Sequence, residues 1–313
     1  MAASSSIEPM LAGTPRVLVA PADVGRTLLA LLSLTKPRIV SLVVFTAVVA
    51  CFAAAGGVPP FRTVLVLTAS GLLAAGGAAM LNQYLDRDID ALMQRTRKRA
   101  LVTGQVPSSG WVPVVGAVLV GAGVVSAAGL NLVVSASVAA GAFIYVVVYT
   151  LWLKRRTLLN IVVGGAAGSA AVLGGWAAVD PGLGPSPWLM AALVFFWTPA
   201  HFWSLAVARS DDYRQAGVPM LPVVVGPARA ASWALGHIFL TVGTSLTLGI
   251  VAGWGAAYFL VCILAGARFS ALGTAFLRQP GPDRGWTLFK FSGPYLGIVF
   301  LAVLIDRLLL GSG

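Results

Sequence analysis

The chain contains nine apolar stretches that are each long enough to cross a lipid bilayer. A spanning α-helix needs about 20 apolar residues, whereas a spanning barrel strand shows only about ten, of alternating polarity. Mean hydropathy is +0.90, and 58% of the 313 residues are hydrophobic. The continuous runs predict an all-α polytopic membrane protein with no soluble catalytic domain between its spans. We expect spans at residues 39–55, 64–85, 111–128, 132–153, 158–179, 188–208, 230–251, 254–271 and 291–310.

The 21 lysine and arginine residues are distributed unevenly between the two ends of these spans. Only Arg62 and Arg307 fall on one side. The others lie in the N-terminal arm or after spans two, four, six and eight, and the positive-inside rule assigns that side to the cytoplasm or matrix. The net charge of +11 therefore reflects topology rather than nucleic-acid binding. We expect an integral protein of a bacterial cell membrane or the mitochondrial inner membrane, with its N-terminus inside and its C-terminus outside.

Composition divides the chain into two parts. The first part is rich in serine and proline and lacks the apolar core of a signal peptide, so we expect a disordered arm over residues 1–33. A single membrane domain follows over residues 34–313. Cys51 and Cys262 stand alone in spans one and eight, without a C-x-x-C pair, and are expected to be buried small apolar residues.

Three metal-type ligands end the second span: Asn82, Asp86 and Asp90. A spacing of four residues turns an α-helix by about 400° and advances it by roughly 6 Å, so the three side chains share one face. Mg²⁺ prefers such oxygen ligands and is usually held by one or two carboxylates together with substrate phosphates. The spacing indicates a site for Mg²⁺ and a diphosphate. The competing interpretation is a hydrated helix end whose acids pair with Arg87 and Arg95.

The sixth span ends in a similar way, in Asp211, Asp212, Tyr213 and Arg214. Both acidic ends fall on the same predicted side of the membrane. Basic runs at residues 95–99 and 154–156 lie between them in sequence, and such runs either anchor helices to anionic lipid or neutralise a bound diphosphate. The two acidic ends together indicate one bipartite site.

A diphosphate beside a membrane cavity implies a polyprenyl substrate, whose allylic carbocation needs aromatic faces. The candidates are Tyr145, Tyr149 and Trp152 on span four and Phe195, Phe196, Trp197, Phe202 and Trp203 on span six. His201 and His237 are the two histidines of the chain, and both lie in apolar segments. A buried histidine packs more often than it binds, but His201 is the better functional candidate because Pro199 interrupts the backbone hydrogen bonding beside it.

Four sequence blocks resemble a known family, the protoheme IX farnesyltransferases of the UbiA prenyltransferase superfamily. They are LTKPRIVSLVVFTA at 34–47, LNQYLDRDIDALMQRTRKRALVTG at 81–104, YTLWLKRRTLLNIVVGGAAG at 149–168 and WTPAHFWSLAVARSDDYRQAGVPMLPVV at 197–224. The resemblance implies nine transmembrane helices in a bundle around a membrane-facing cavity. It implies transfer of a farnesyl group from farnesyl diphosphate to a vinyl group of haem B, with addition of water, giving haem O.

The resemblance also implies residue roles. Catalytic residues would be Asn82, Asp86, Asp90, Asp211 and Asp212, and Mg²⁺ would be held by Asn82, Asp86, Asp90 and Asp212. Substrate would meet Arg95, Arg99, Lys154, Arg155, Asn160, His201, Tyr213 and Arg214, with His201 a haem contact or iron ligand. The implied partners are farnesyl diphosphate, haem B, membrane lipid and a haem A synthase.

The chain departs from the family pattern mainly at prolines: Ala100, Leu158, Ala170 and Ala200 stand where proline is expected. Ala216 stands where the wider superfamily has a further aspartate. Two alternatives stay open. One is a related prenyltransferase with a quinone-precursor or chlorophyll-type acceptor. The other is a membrane haem carrier that uses His201 and His237 as axial ligands.

Overall fold

A computed structural model describes residues 24–106 and 109–309, and all regular secondary structure in these ranges is helical. The helices are α1 (Val24–Leu34), α2 (Pro37–Ala55), α3 (Phe61–Leu85), α4 (Arg87–Leu92), α5 (Val112–Ala128), α6 (Leu132–Phe143), α7 (Asn160–Gly164), α8 (Ala166–Ala177), α9 (Pro185–Ala208), α10 (Ser210–Gln215), α11 (Leu221–Val225), α12 (Pro227–Ala252), α13 (Ala256–Arg278) and α14 (Pro282–Leu309). Within the described ranges, nine helical segments are long and apolar enough to cross a membrane. The predicted fold class is confirmed.

The sequence places most span boundaries within three residues, but the last two spans differ more. α13 continues to Arg278 and α14 begins at Pro282, so the connection between them is three residues rather than nineteen. Lys290 therefore lies inside a helix, as does Arg268, which the predicted eighth span already contains. Long basic side chains near a helix end can reach the polar interface, and a charge there does not end the span.

The expectation of a disordered arm through residue 33 is wrong for its last part. Residues 24–34 form α1, which packs against α3 with Ala30 and Leu34 buried. Apolar residues in this stretch recur at helical spacing, and that signal outweighs the serine-rich composition upstream. The preceding part of the arm lies outside the described residues.

The core is centred on α9, the most buried span, which contacts α8, α12 and α14. α2 contacts α3, α8 and α14 and so joins the two halves of the bundle. Small residues allow these approaches: a Cβ on Gly175 of α8 would lie 1.9 Å from the Ala47 carbonyl oxygen of α2. Gly175 is therefore explained by close contact between the two helices.

The fourth span changes helix type along its length. Residues 132–143 are α-helical, and Ile144–Leu153 form a π-helix in which each N–H bonds the carbonyl five residues earlier. The bond from Lys154 N to Tyr149 O, 2.8 Å long, continues this pattern. π-Helices are rare, usually a single turn, and frequent at functional sites. Here the π-helix borders Asn82, Asp86 and Asp90, which we call the first acidic motif.

Candidate active site

The first acidic motif lies at the junction between α3 and α4. Asn82 is in the last turn of α3, Asp86 is the junction residue and Asp90 is in α4. Backbone bonds from Asp86 N to Asn82 O (3.0 Å) and from Asp90 N to Asp86 O (2.8 Å) carry the helical path through the junction. All three residues are at most 3% exposed. A membrane protein that buries these polar groups together must satisfy them internally.

A basic residue from a different segment contacts each member of the motif. Lys36, which precedes α2, donates to Asn82 Oδ1. Lys154, at the end of the π-helix, lies 2.5 Å from Asp86 Oδ2. Arg99, in the loop after α4, donates to Asp90. The bases named by the competing interpretation are not the partners; Arg87 instead donates to the Tyr84 carbonyl oxygen at 2.7 Å.

Lys36 was not among the predicted site residues, although it lies in the first family-like block. Its backbone is left-handed, with φ of 50°, directly before Pro37. Gln83 Nε2 holds this turn by donating to the carbonyl oxygens of Ser33 (3.0 Å) and Leu34 (2.8 Å). Burial lowers the pKa of the Lys36 ammonium to about 7, and the nearby positive charge of Arg99 acts in the same direction. Backbone strain at a non-glycine residue is frequent at functional sites.

Arg155 forms the outer edge of the site. Its guanidinium makes two hydrogen bonds of 2.7 Å to the Asp88 carboxylate and one of 3.0 Å to the Leu85 carbonyl oxygen. The hydrogen bonds from Arg155 lower the pKa of Asp88 to about 2. Arg155 also lies 4.0 Å from Asp86 Oδ1. Asp88 was not a predicted site residue, because a carboxylate out of register with the motif gave no signal.

The two carboxylates of the second acidic end, Asp211 and Asp212, lie in different environments. Asp212 is 6% exposed and accepts the backbone N–H groups of Gln94 (3.1 Å) and Arg95 (3.2 Å). Asp211 points into solvent and pairs with Arg214 at 2.6 Å. The structure thus brings Asp212 to the loop that follows the first motif, as the bipartite prediction requires, but turns Asp211 and Arg214 away from it.

Two further predicted residues, Tyr213 and Asn160, are buried near the acidic ends. Tyr213 is buried with Ile89 and Ile161, and this burial raises the pKa of its hydroxyl, while nearby Arg95 acts in the opposite direction. Asn160 begins α7 and is fully buried. Its Nδ2 donates to the Thr157 carbonyl oxygen at 2.6 Å, whereas its Oδ1 has no hydrogen-bond partner in the part of the chain that the structure describes.

The aromatic residues of the fourth span point in different directions. Tyr145 and Tyr149 stack, with ring centroids 6.0 Å apart and planes 10° apart, and Lys36 Nζ donates to the Tyr145 hydroxyl at 3.1 Å. Trp152 is 56% exposed on the outside of the bundle. The stacked tyrosines therefore border the acidic motif, and Trp152 does not.

The two histidines lie on different sides of α9. His201 Nδ1 is 2.6 Å from Ser292 Oγ, and its ring stacks on Trp197 and packs against Phe289. His237, on α12, contacts the rings of Phe196 and Trp203. Residues 196 and 201 are five apart, which is about 140° around a helix. The histidines therefore do not face one another across a shared haem.

The first motif offers oxygen atoms that could bind Mg²⁺. Within residues 24–106 and 109–309, no three His, Cys, Asp or Glu side chains gather as a metal cluster. One observation nevertheless favours an ion: Asp86 Oδ1 is buried and has no hydrogen-bond partner among the described residues. With Asn82 Oδ1 and Asp90 it makes a set of hard oxygen ligands, of the kind that Mg²⁺ accepts when phosphates complete the shell. The residues present fit the ion.

A cavity of about 430 Å³ opens beside the motif. Leu85, Arg87, Asp88, Thr150, Leu151 and Arg155 line it. It combines the charged side chains of Arg87, Asp88 and Arg155 with the apolar side chains of Leu85 and Leu151, and Leu151 is 51% exposed. A ligand with a charged head and an apolar tail fits this arrangement.

Comparisons of the sequence with known proteins agree on one family. Residues 43–302 match the model of the UbiA prenyltransferase family. The chain is 42% identical to protoheme IX farnesyltransferase 1 of Paramagnetospirillum magneticum, over 88% of this chain and 97% of that protein. It is 40% identical to the protoheme IX farnesyltransferase of Roseiflexus castenholzii over 88% of this chain, but spans only about half, 51%, of that relative.

Solved structures agree on the fold. A UbiA homologue from Archaeoglobus fulgidus bound to GPP and Mg²⁺ superposes with a TM-score of 0.62 at 18% identity, covering 88% of this chain and 99% of the other. At this identity the likeness concerns the helical architecture alone.

Proposed function

Because this chain belongs to the UbiA prenyltransferase family, we propose that it transfers a farnesyl group from farnesyl diphosphate to a vinyl group of haem B, giving haem O. The observation that carries the proposal is the first acidic motif, whose three members each hold a separate base beside an amphipathic cavity. The names of the relatives support haem B as the acceptor. The metal and substrate roles that follow are part of the same proposal.

Asn82, Asp86 and Asp90 would hold Mg²⁺, which when bound supplies positive charge that offsets the negative charge of the departing diphosphate. Lys154 and Arg99 then exchange their carboxylate partners, and Lys36 its amide partner, for diphosphate oxygens, to which charged donors bind strongly. Asp212 acts by fixing the loop at residues 94–95, because its carboxylate accepts the backbone N–H groups of Gln94 and Arg95.

The reaction breaks the carbon–oxygen bond of farnesyl diphosphate, and the bonding electrons leave with diphosphate. The stacked pair of Tyr145 and Tyr149 presents aromatic faces to the resulting allylic cation. The haem vinyl group forms the new carbon–carbon bond, which moves the positive charge to the carbon next to the porphyrin. Water then adds to that carbon and loses a proton, so that the product carries a hydroxyethylfarnesyl group.

His201 is the proposed contact for the porphyrin. The bond between its Nδ1 and Ser292 orients the ring and leaves Nε2 as the nitrogen that can meet a substrate. The stacked and tilted rings of Trp197 and Phe289 provide flat apolar surfaces beside it. The proposed topology places this site on the cytoplasmic or matrix side, with the N-terminus inside. The haem A synthase partner remains an expectation from the resemblance.

The test is an assay of the purified protein in lipid nanodiscs with farnesyl diphosphate, Mg²⁺ and haem B, with haem products separated by chromatography and identified by mass. We expect haem O, dependent on all three components. Prenylation of a 4-hydroxybenzoate-type acid in place of haem would assign the family chemistry to the alternative acceptor class. Haem binding without any prenyl transfer would favour a carrier.

A further inference from the structure

Asn82 is held by four polar contacts, and one comes from a residue to which neither the resemblance nor the proposed mechanism gives a role. Its Nδ2 donates to Asp86 Oδ2 (2.7 Å) and to Thr150 Oγ1 (3.0 Å), and its Oδ1 accepts from Lys36. Its backbone carbonyl accepts from Asp86 N at 3.0 Å. Thr150 is 2% exposed and lies in the middle of the π-helix, 68 residues further along the chain.

The direction of the Thr150 hydroxyl follows from the π-helix. Oγ1 donates to the carbonyl oxygen of Tyr145, five residues earlier, at 2.7 Å. In an α-helix a threonine hydroxyl usually bonds the carbonyl three or four residues back. A hydroxyl has one proton, so once it is committed to Tyr145 the oxygen can only accept from Asn82. Only the amide nitrogen, not the amide oxygen, can face Thr150.

This constraint determines where the ligand atom of Asn82 points. With Nδ2 facing Thr150 and Asp86, Oδ1 is directed to the position that the Lys36 ammonium occupies. Lys36 cannot orient Oδ1 once a metal ion binds there, because both compete for the same oxygen. The Thr150 contact does not compete with the ion. Together with the Asp86 contact of the same nitrogen, it therefore keeps the amide in its ligating orientation when Lys36 moves away.

We propose that Thr150 is a positioning residue of the metal site, whose hydroxyl, aimed by the π-helix, fixes the Asn82 amide with Oδ1 toward the cation. This inference rests on the proposed function, since it assumes that Asn82 is a metal ligand. Groups that orient metal ligands in this way typically change metal affinity by about 10- to 100-fold when they are removed.

Thr150→Val and Thr150→Ser test the inference as a matched pair. Valine keeps the shape and removes the hydrogen bonds, and serine keeps the hydroxyl and loses one methyl group. Thr46→Val is the control, because Thr46 is a buried threonine of α2 whose hydroxyl, among the described residues, bonds only the Val43 carbonyl oxygen of its own helix. The readout is Mn²⁺ affinity, measured by the electron paramagnetic resonance signal of free Mn²⁺ without substrate.

We expect Thr150→Val to weaken Mn²⁺ binding about 10-fold, and Thr150→Ser and Thr46→Val to change it less than about twofold. In the haem O assay, Thr150→Val should raise the Mg²⁺ concentration for half-maximal rate by a similar factor and recover most of its rate at saturating Mg²⁺. When Thr150→Val is combined with Asn82→Ala, it should cause no further loss of Mn²⁺ affinity, because both substitutions remove the same hydrogen bond between residues 82 and 150.

Three outcomes would overturn the inference. They are unchanged Mn²⁺ affinity in Thr150→Val, an equal loss in Thr150→Ser, and a wild-type protein that binds no Mn²⁺. A thermal unfolding curve for each variant identifies a loss of Mn²⁺ affinity that comes from misfolding. If Thr150→Val is misfolded, the comparison of Thr150→Ser with Thr46→Val decides whether the hydroxyl of residue 150 is needed for Mn²⁺ binding. If the wild type binds Mn²⁺ and the pair behaves as expected but no haem O forms, the acceptor proposal fails and the positioning role stands.

Discussion

The two acidic helix ends of this protein share a short pattern and use it differently. At the end of α3, Asp86 and Asp90 are buried and each pairs with a base from elsewhere in the chain, Lys154 and Arg99. At the end of α9, Asp212 binds backbone N–H groups, and Asp211 lies in solvent beside a base three residues away. The first end has partners that can be exchanged for an ion and a diphosphate. The second fixes a loop.

The two ends differ in whether the hydrogen-bond partners of each carboxylate can be replaced by a ligand. A bond to a lysine or arginine side chain can be replaced when a phosphate arrives, because the base moves on a flexible stem. Asp212 is bonded to main-chain N–H groups, and these would be left unsatisfied if its carboxylate turned to an ion. We infer that metal binding is concentrated at the first end and that Asp212 acts on the site through the loop at residues 94–95.

The largest expected effect comes from removing the charge of Asp86. Asp86→Asn keeps the side-chain shape but removes one ligand charge and leaves Lys154 without its anion. We expect haem O formation to fall by at least about 100-fold, as for other groups that stabilise developing charge. Asp211→Asn is the matched control at the second end and should keep its rate within about twofold, as surface substitutions generally do. Equal losses in the two variants would remove the distinction between the ends.

The next effect concerns the bases. Lys154→Met removes the cation of a pair in which the side chain of Asp86 is 1% exposed, whereas Arg214→Met removes the cation of an exposed pair. Leaving a buried charge unpaired costs about 3 kcal/mol, while exposed pairs contribute less than about 1 kcal/mol. We expect a clear fall in unfolding temperature only for Lys154→Met, with a partial recovery when Mg²⁺ is added. A fall of the same size in Arg214→Met would contradict this.

A smaller effect is expected when the hydrogen bonds between Asp212 and the loop at residues 94–95 are weakened. Asp212→Asn replaces one acceptor oxygen by an NH₂ group, which cannot accept a backbone N–H group and costs about 1–3 kcal/mol locally. Hydrogen–deuterium exchange over residues 93–99 should become faster, and haem O formation should fall about tenfold. Asp211→Asn should leave exchange in this loop unchanged. Unchanged exchange in Asp212→Asn would show that the loop is held by other contacts.

How far the sequence predicts this site depends on how local each contact is. Asn82, Asp86 and Asp90 are set by a four-residue spacing on one helical path, so the motif could be placed without a structure. Lys36 and Thr150 contact the motif across 46 and 68 residues, and only the folded bundle brings them there. The apolar run of the fourth span predicts a helix but not its change from α to π.

Asp211 and Asp212 illustrate the same limit at the second end. They are adjacent and chemically identical, and no pattern distinguishes the buried carboxylate from the exposed one. The choice depends on where the loop at residues 94–95 passes, which is a tertiary contact. The family resemblance supplied the acceptor and the roles of the basic residues, and neither followed from composition or spacing.

The smallest expected effect concerns Asp88, two residues after Asp86 and 62% exposed. Its pKa is lowered to about 2 by the hydrogen bonds from Arg155, against about 3.9 for a free aspartate. A depressed folded-state pKa means that the stabilisation is fully present above the unfolded value and is lost as the pH falls from about 4 toward 2. The pair should therefore contribute a constant amount between pH 5 and 8.

A double-mutant cycle with Asp88→Asn and Arg155→Met measures this contribution by thermal unfolding. We expect a coupling below about 1 kcal/mol, because solvent screens an exposed pair. Haem O formation in Asp88→Asn should stay within about twofold of wild type, since Arg155 keeps its bond to the Leu85 carbonyl oxygen. A coupling that changes between pH 5 and 8, or a loss in Asp88→Asn near that of Asp86→Asn, would extend the first acidic end to a fourth functional residue.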